Sequence, residues 1–285
     1  MSLQTINSLL ELLRKTSVEL PDDVSRTLDE VITSDNSLAE NGPHYEIIQA
    51  NRELAKKNSV PLWPDTGSII FYVDIPRKYD EESFAKDIRK AVTKATKKGF
   101  LDLNSLDPIT GGQTGNNLGP GAPTIIFRQV YRKDIAVRLL LVSASSENRS
   151  TQYSLPDRQL GAGRDIDGIR KCILDTAHRA SALVGGPGVL GVGIGGDRSS
   201  SFALAREQFL RRLTDINTIA PLAKLEQEIL DLSNQKNPPP LMGVKIGAYN
   251  RLRDSYFVSV AYKCWCLRRQ GALLNPRGKI KKWLY

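Results

Sequence analysis

Eight residues, Pro61-Leu62-Trp63-Pro64-Asp65-Thr66-Gly67-Ser68, constrain this chain more than any others. Two prolines so close together stop a helix, and Asp-Thr-Gly is turn chemistry, glycine supplying the left-handed backbone that other residues avoid. Before the stretch the apolar residues recur at helical spacing; after it Ile69-Ile70-Phe71-Tyr72-Val73 reads as a buried strand. The chain must therefore pass from helix through a short acidic turn directly into a strand. A carboxylate and a hydroxyl at such a junction, Asp65 and Thr66, are the first candidates for a site.

Upstream, three helices are expected within residues 1–60. Leu3, Ile6, Leu10 and Leu13 share the face of the first, and Pro21-Asp22-Asp23 opens a second with Val24, Leu28, Val31 and Ile32. A third, from about Gly42 to Asn58, should turn Ile47, Ile48, Leu54 and Ala55 inward. Residues 1–60 are thus read as a helical segment packed on a main domain of residues 61–285.

Downstream, Phe84, Ile88, Ala91, Val92 and Ala95 mark a helix that Gly99 ends. The stretch Leu103–Thr124 is too rich in Gly, Pro and Asn for regular structure. Two apolar runs follow, and Tyr131-Arg132-Lys133-Asp134 between them predicts a hairpin. A helix over 165–184 leads to Val189-Leu190-Gly191-Val192-Gly193-Ile194-Gly195-Gly196, a strand entering a helix, where backbone amides can receive an anion. A tight strand-to-helix turn is the plainer reading of the same glycines. The expected architecture is α+β, with largely antiparallel strands at 68–75, 123–130, 135–142, 189–194, 243–249 and 256–265, flanked by helices.

Composition excludes some functions. No apolar run reaches bilayer length and the first residues lack a signal-peptide core, so the expected location is cytoplasmic. Three cysteines make no disulfide framework, and Cys172, midway along a helix, reads as a small buried residue. The net charge of +9 favours anionic partners, but the basic residues are dispersed without interleaved stacking aromatics, which argues against nucleic acid.

Five segments resemble, in order, the class I iron-sulfur fumarases and the alpha subunits of fumarate and tartrate dehydratases. They are Glu53-Leu54-Ala55 with Pro61 and Asp65-Thr66-Gly67; Asp107-Pro108-Ile109-Thr110 with Gln113-Thr114-Gly115-Asn116-Asn117; Ser146-Glu147-Asn148; Gly191–Gly196; and Cys264-Trp265 with Arg268-Arg269. The resemblance runs from about Glu46 to the C-terminus. It implies a lyase acting on a small hydroxy-carboxylate with a beta-type subunit, and a 4Fe-4S cluster held by three cysteines, one iron acting as Lewis acid. It points to Asp65 and Thr66 as catalytic, and to Glu147, Asn148, Gly195, Gly196 and Arg268 as substrate-binding. Cys264 and Cys266 become candidate metal ligands, which strand alternation would place on one face.

The departures fall on the chemistry. Trp63 and Gly185 stand where the family has its first two cluster cysteines, and only Cys264 remains. Asp102, Leu103 and Asn104 occupy the neighbourhood of a substrate-holding arginine, and Val142-Ser143-Ala144-Ser145 replaces a lysine and three glycines. Two expectations follow: a lyase without the three-cysteine cluster, or a catalytically silent paralogue that binds a small anion or scaffolds a partner subunit.

Overall fold

The computed structural model describes residues 3–34, 38–181, 186–235 and 240–285, with only the backbone at 38–43 and 181. The helices are α1 (Leu3–Val18), α2 (Asp22–Ser34), α3 (Leu38–Asn58), α4 (Glu81–Lys97), α5 (Ala144–Glu147), α6 (Ile166–Ser181), α7 (Arg198–Glu207) and α8 (Ala220–Asn234). The strands are β1 (Ser68–Pro76), β2 (Thr124–Val130), β3 (Ile135–Val142), β4 (Thr151–Ser154), β5 (Gly188–Gly196), β6 (Leu241–Arg251), β7 (Phe257–Cys264), β8 (Arg269–Leu274) and β9 (Ile280–Trp283). The chain is α+β and most strand pairs are antiparallel, as its pattern predicts.

Two compact units divide the chain. The first takes Met1–Pro21, Ile48–Ala144 and Arg268–Tyr285; the second takes Asp22–Ile47 and Ser145–Leu267.

The first unit holds a five-stranded sheet in the order β2-β1-β3-β8-β9. Ile69, Phe71, Val73 and Ile75 of β1 alternate toward one face, beside Ile135, Val137, Leu139 and Leu141 of β3 and Ala272 and Leu274 of β8. Leu9, Leu12 and Leu13 of α1 and Phe84, Ile88, Ala91, Val92 and Ala95 of α4 complete that core. On α1 the buried stripe is centred on Leu9, Leu12 and Leu13, whereas Leu3 is exposed. On α3, Ile48 and Ala55 are buried as expected, but Ile47 and Leu54 face solvent.

The hairpin expected at 131–134 does not form. β2 pairs parallel with β1, from Ile70 opposite Thr124 to Pro76 opposite Val130, and β3 pairs antiparallel with the other edge of β1. Four residues suffice to step over one strand, so a short connection between two strand-like runs does not make them neighbours.

The second unit holds a four-stranded sheet in the order β4-β7-β5-β6. Helix α7 packs against β5 because Gly191 and Gly193 have no side chain: a Cβ on either would strike the carbonyl oxygen of Ala205 or Ser201. On α6, Ile169, Ile173, Ala177 and Ala180 are buried and Ile166 is exposed. Strand β7 ends at Cys264, one residue short of the expected limit. Trp265 lies in a bend, its carbonyl accepting from Leu267 N–H at 3.0 Å, so the alternation that would pair Cys264 with Cys266 on one face stops before Cys266.

Candidate functional site

In the first unit the stretch 61–68 is a non-helical connection that enters β1. Gly67 has φ +66°, and a Cβ there would strike the backbone of Val142. The turn therefore lies flat against the end of β3, and glycine is required twice, by conformation and by space. Asp65 projects its carboxylate past that contact. Its Oδ2 accepts from the Ala144 N–H at 2.6 Å and its Oδ1 from the Asn104 amide at 3.2 Å. Each oxygen keeps further acceptor capacity. Thr66 is buried, and its hydroxyl donates to the Asp102 carbonyl at 3.0 Å.

Arg268 closes the turn from more than 200 residues away in sequence. Its Nη2 donates to the carbonyls of Asp65 (2.6 Å) and Thr66 (3.3 Å), and its Nη1 to that of Trp63 (3.3 Å). The side chain is 1% exposed. The guanidinium fork is spent on three backbone carbonyls, and its Nε has no partner. Asp65, Thr66 and Arg268 are thus brought together, with Arg268 holding the turn by its backbone.

In the second unit, Glu147 ends α5 and pairs with Arg206 of α7 at 2.7 Å. Asn148, the next residue, is exposed. Gly195 and Gly196, φ +82° and +67°, deliver the chain into α7. Asp197 caps that helix: its Oδ1 accepts from the N–H groups of Ser199 (2.8 Å) and Ser200 (2.9 Å), while the Ser200 hydroxyl accepts from the Asp197 N–H at 2.9 Å. The Ser200 backbone and hydroxyl bonds hold the Asp197 carboxyl below the usual carboxylate range. The amides that could receive an external anion at this terminus are engaged by the chain's own carboxylate.

The residues present do not fit a three-thiolate cluster. Cys264 and Cys266 are buried, Trp63 carries no ligating atom at the first position, and Gly185 lies outside the described residues and has no side chain to offer. Cys172 is buried on α6, where desolvation, then Asp157 and Asp175, push its thiol up to about 12, so it remains protonated. Among the described residues no group of three or more Cys, His, Asp or Glu is arranged to hold a metal ion. A cavity of about 620 Å³ in the first unit, lined by Thr5, Tyr79, Asn275, Arg277 and Lys279 among others, contains none of the residues indicated by sequence.

Two participants escaped the sequence reading. Asn104 lies in the neighbourhood where the family has an arginine, yet it holds Asp65. Arg206 has no local signal in the sequence beyond its position on α7, and only the structure sets it against Glu147.

The chain, with an acidic Asp-Thr-Gly turn entering β1 and a capped Gly-Gly entry to α7, belongs to the fumarate hydratase (Fumerase) family, whose model matches residues 6–272. Its similarity extends to individual proteins. One from Geobacillus stearothermophilus, provisionally named fumarate hydratase class I, is 39% identical over 98% of this chain and 56% of its own length. The L(+)-tartrate dehydratase alpha subunit of Escherichia coli (strain K12) is 25% identical over 95% of this chain and 92% of its own. One from Methanocaldococcus jannaschii, provisionally given the same alpha-subunit name, is 28% identical over 92% and 94%. This chain therefore spans about half of the first relative and nearly all of the other two. Among the described residues no helix is long and apolar enough to cross a membrane.

Proposed function

We propose that this chain is the alpha-type part of a carbon–oxygen hydro-lyase that acts on a small hydroxy-carboxylate together with a beta-type chain, without the family's three-cysteine cluster. The observation that carries it is the Asp65 turn. The family's acid stands at the head of β1, oriented by Ala144 and Asn104 and backed by a buried cation, although the thiol two residues earlier is replaced by Trp63. The positive charge of Arg268, which among the described residues faces backbone carbonyls, together with the chain's net charge of +9, favours an anionic substrate. The partner reading is supported by the relatives named as alpha subunits and by the half-length match to the longer relative.

A second reading is favoured by a different observation: the Thr66 hydroxyl, the Glu147 carboxylate and the α7 amides are all engaged within the chain. On that reading the protein binds its anion or supports its partner without turnover.

One experiment separates the two. Protein purified without oxygen, alone and with a beta-type chain, is assayed for iron, sulfide and dehydration of malate and tartrate. Turnover without stoichiometric iron, lost in Asp65→Asn, supports the lyase. Near-stoichiometric iron and sulfide, lost in Cys264→Ala, would overturn the cluster-free assignment. Anion binding without turnover would leave the silent paralogue.

A further inference from the structure

The loop from Leu103 to Pro123 carries apolar side chains outward on a fixed backbone. Leu103, Leu106 and Ile109 are 44%, 55% and 90% exposed. Single exposed aliphatics are ordinary; three close together at the start of a loop that is itself pinned by hydrogen bonds are not. Buried Asn117 secures the root: its Oδ1 accepts from Asn104 N–H (2.7 Å) and its amide donates to the Asp102 carbonyl (2.8 Å) and Thr96 hydroxyl (3.0 Å). At the tip, the Asp107 carboxylate accepts from the N–H of Ile109 (3.0 Å) and from the N–H (2.7 Å) and hydroxyl (2.9 Å) of Thr110. Asp107 N–H donates to Gly112 and Thr114 N–H to Ser105 across the base. Ile109 is thus displayed on an ordered tip, and the entropy a floppy loop loses on docking is already spent.

We propose that this loop, centred on Ile109, is the docking surface for the beta-type chain. This rests on the partner reading above. Two observations choose that occupant. The chain accounts for only 56% of a single-chain relative, so a substantial body of protein remains to be accommodated. The loop itself, in a chain of net charge +9, has no lysine or arginine from Leu101 to Pro123 and carries exposed Asp102 and Asp107. That combination repels nucleic acid, and a second copy docked loop to loop would set the aspartates against their counterparts.

The test is sedimentation velocity of the full chain against the beta-type chain of the same organism. Ile109→Glu and Leu106→Glu are compared with Tyr131→Glu, a control at a side chain 84% exposed outside the loop. The expected result is binding weakened about thirtyfold or more by either loop variant and unchanged by the control. Equal binding by all variants overturns the loop assignment while the partner reading stands. Failure of the unaltered chain to bind overturns both. Self-association abolished by Ile109→Glu overturns the beta-type occupant and gives the surface to a second copy.

Discussion

The two turns that the family frame singles out are built by opposite means. The Asp65 turn of the first unit is closed from outside by Arg268, through three carbonyls. The Gly195-Gly196 turn of the second is closed from within, by Asp197 on the amides of its own helix. The difference teaches which site can change chemistry without losing its shape. A turn held by its backbone tolerates a new side chain such as Trp63, because the bonds that fix it ignore side-chain identity. A turn held by its own carboxylate has filled the position a ligand would take.

That contrast is easiest to break at Gly67. Gly67→Ala forces a Cβ into Val142 at φ +66° and should destabilise the first unit by about 4 kcal/mol or leave it unfolded, read by thermal denaturation. Arg268→Met removes three donated bonds together and should cost about 3 kcal/mol in urea denaturation; Arg268→Lys should restore little, since an ammonium cannot span the three carbonyls. If lysine restores full stability, the fork is not what fastens the turn.

Asp197→Ala tests the self-closed turn and should lower the denaturation midpoint less than either. Its effect carries a pH signature. The carboxyl is depressed in the folded state, so its contribution is complete above the unfolded carboxyl range, near 4, and is lost as pH falls through the lower folded value. The difference between wild type and Asp197→Ala should therefore vanish in acid. Last, all three cysteines are buried residues of the second unit, so aromatic-disulfide labelling at pH 8 should be slow in the native protein and modestly faster in Asp197→Ala. Rapid native labelling would mean that this unit opens freely.

Legibility followed the same line. The capped entry to α7 could be read locally, since a strand, two glycines, Asp197 and Ser200 lie within a few residues. The α+β class and the six main strands are legible in apolar runs bounded by turn residues. Contacts far apart in sequence did not. Nothing near Asp65 announces Arg268, and the chain order of β2 and β3 conceals β1 between them. β8 is hidden in the sequence because it begins with Arg269 and Gln270, polar residues buried in the strand, where periodicity expects apolar ones. Arg269 is accommodated by stacking on Tyr285, with 4.3 Å from guanidinium to ring centre, a partner that no local pattern could name.

The interleaving of the first unit bears on how the protein is made. Its sheet draws β1 early, β2 and β3 midway, and β8 and β9 from beyond Arg268, after the whole second unit has been translated. Until then β3 has an open edge and the Asp65 turn has no guanidinium to fasten it. A nascent chain can complete the second unit while the first is still waiting for its final strands, so a ribosome stalled before residue 268 would expose an unfinished sheet edge to chaperones, proteases or other chains.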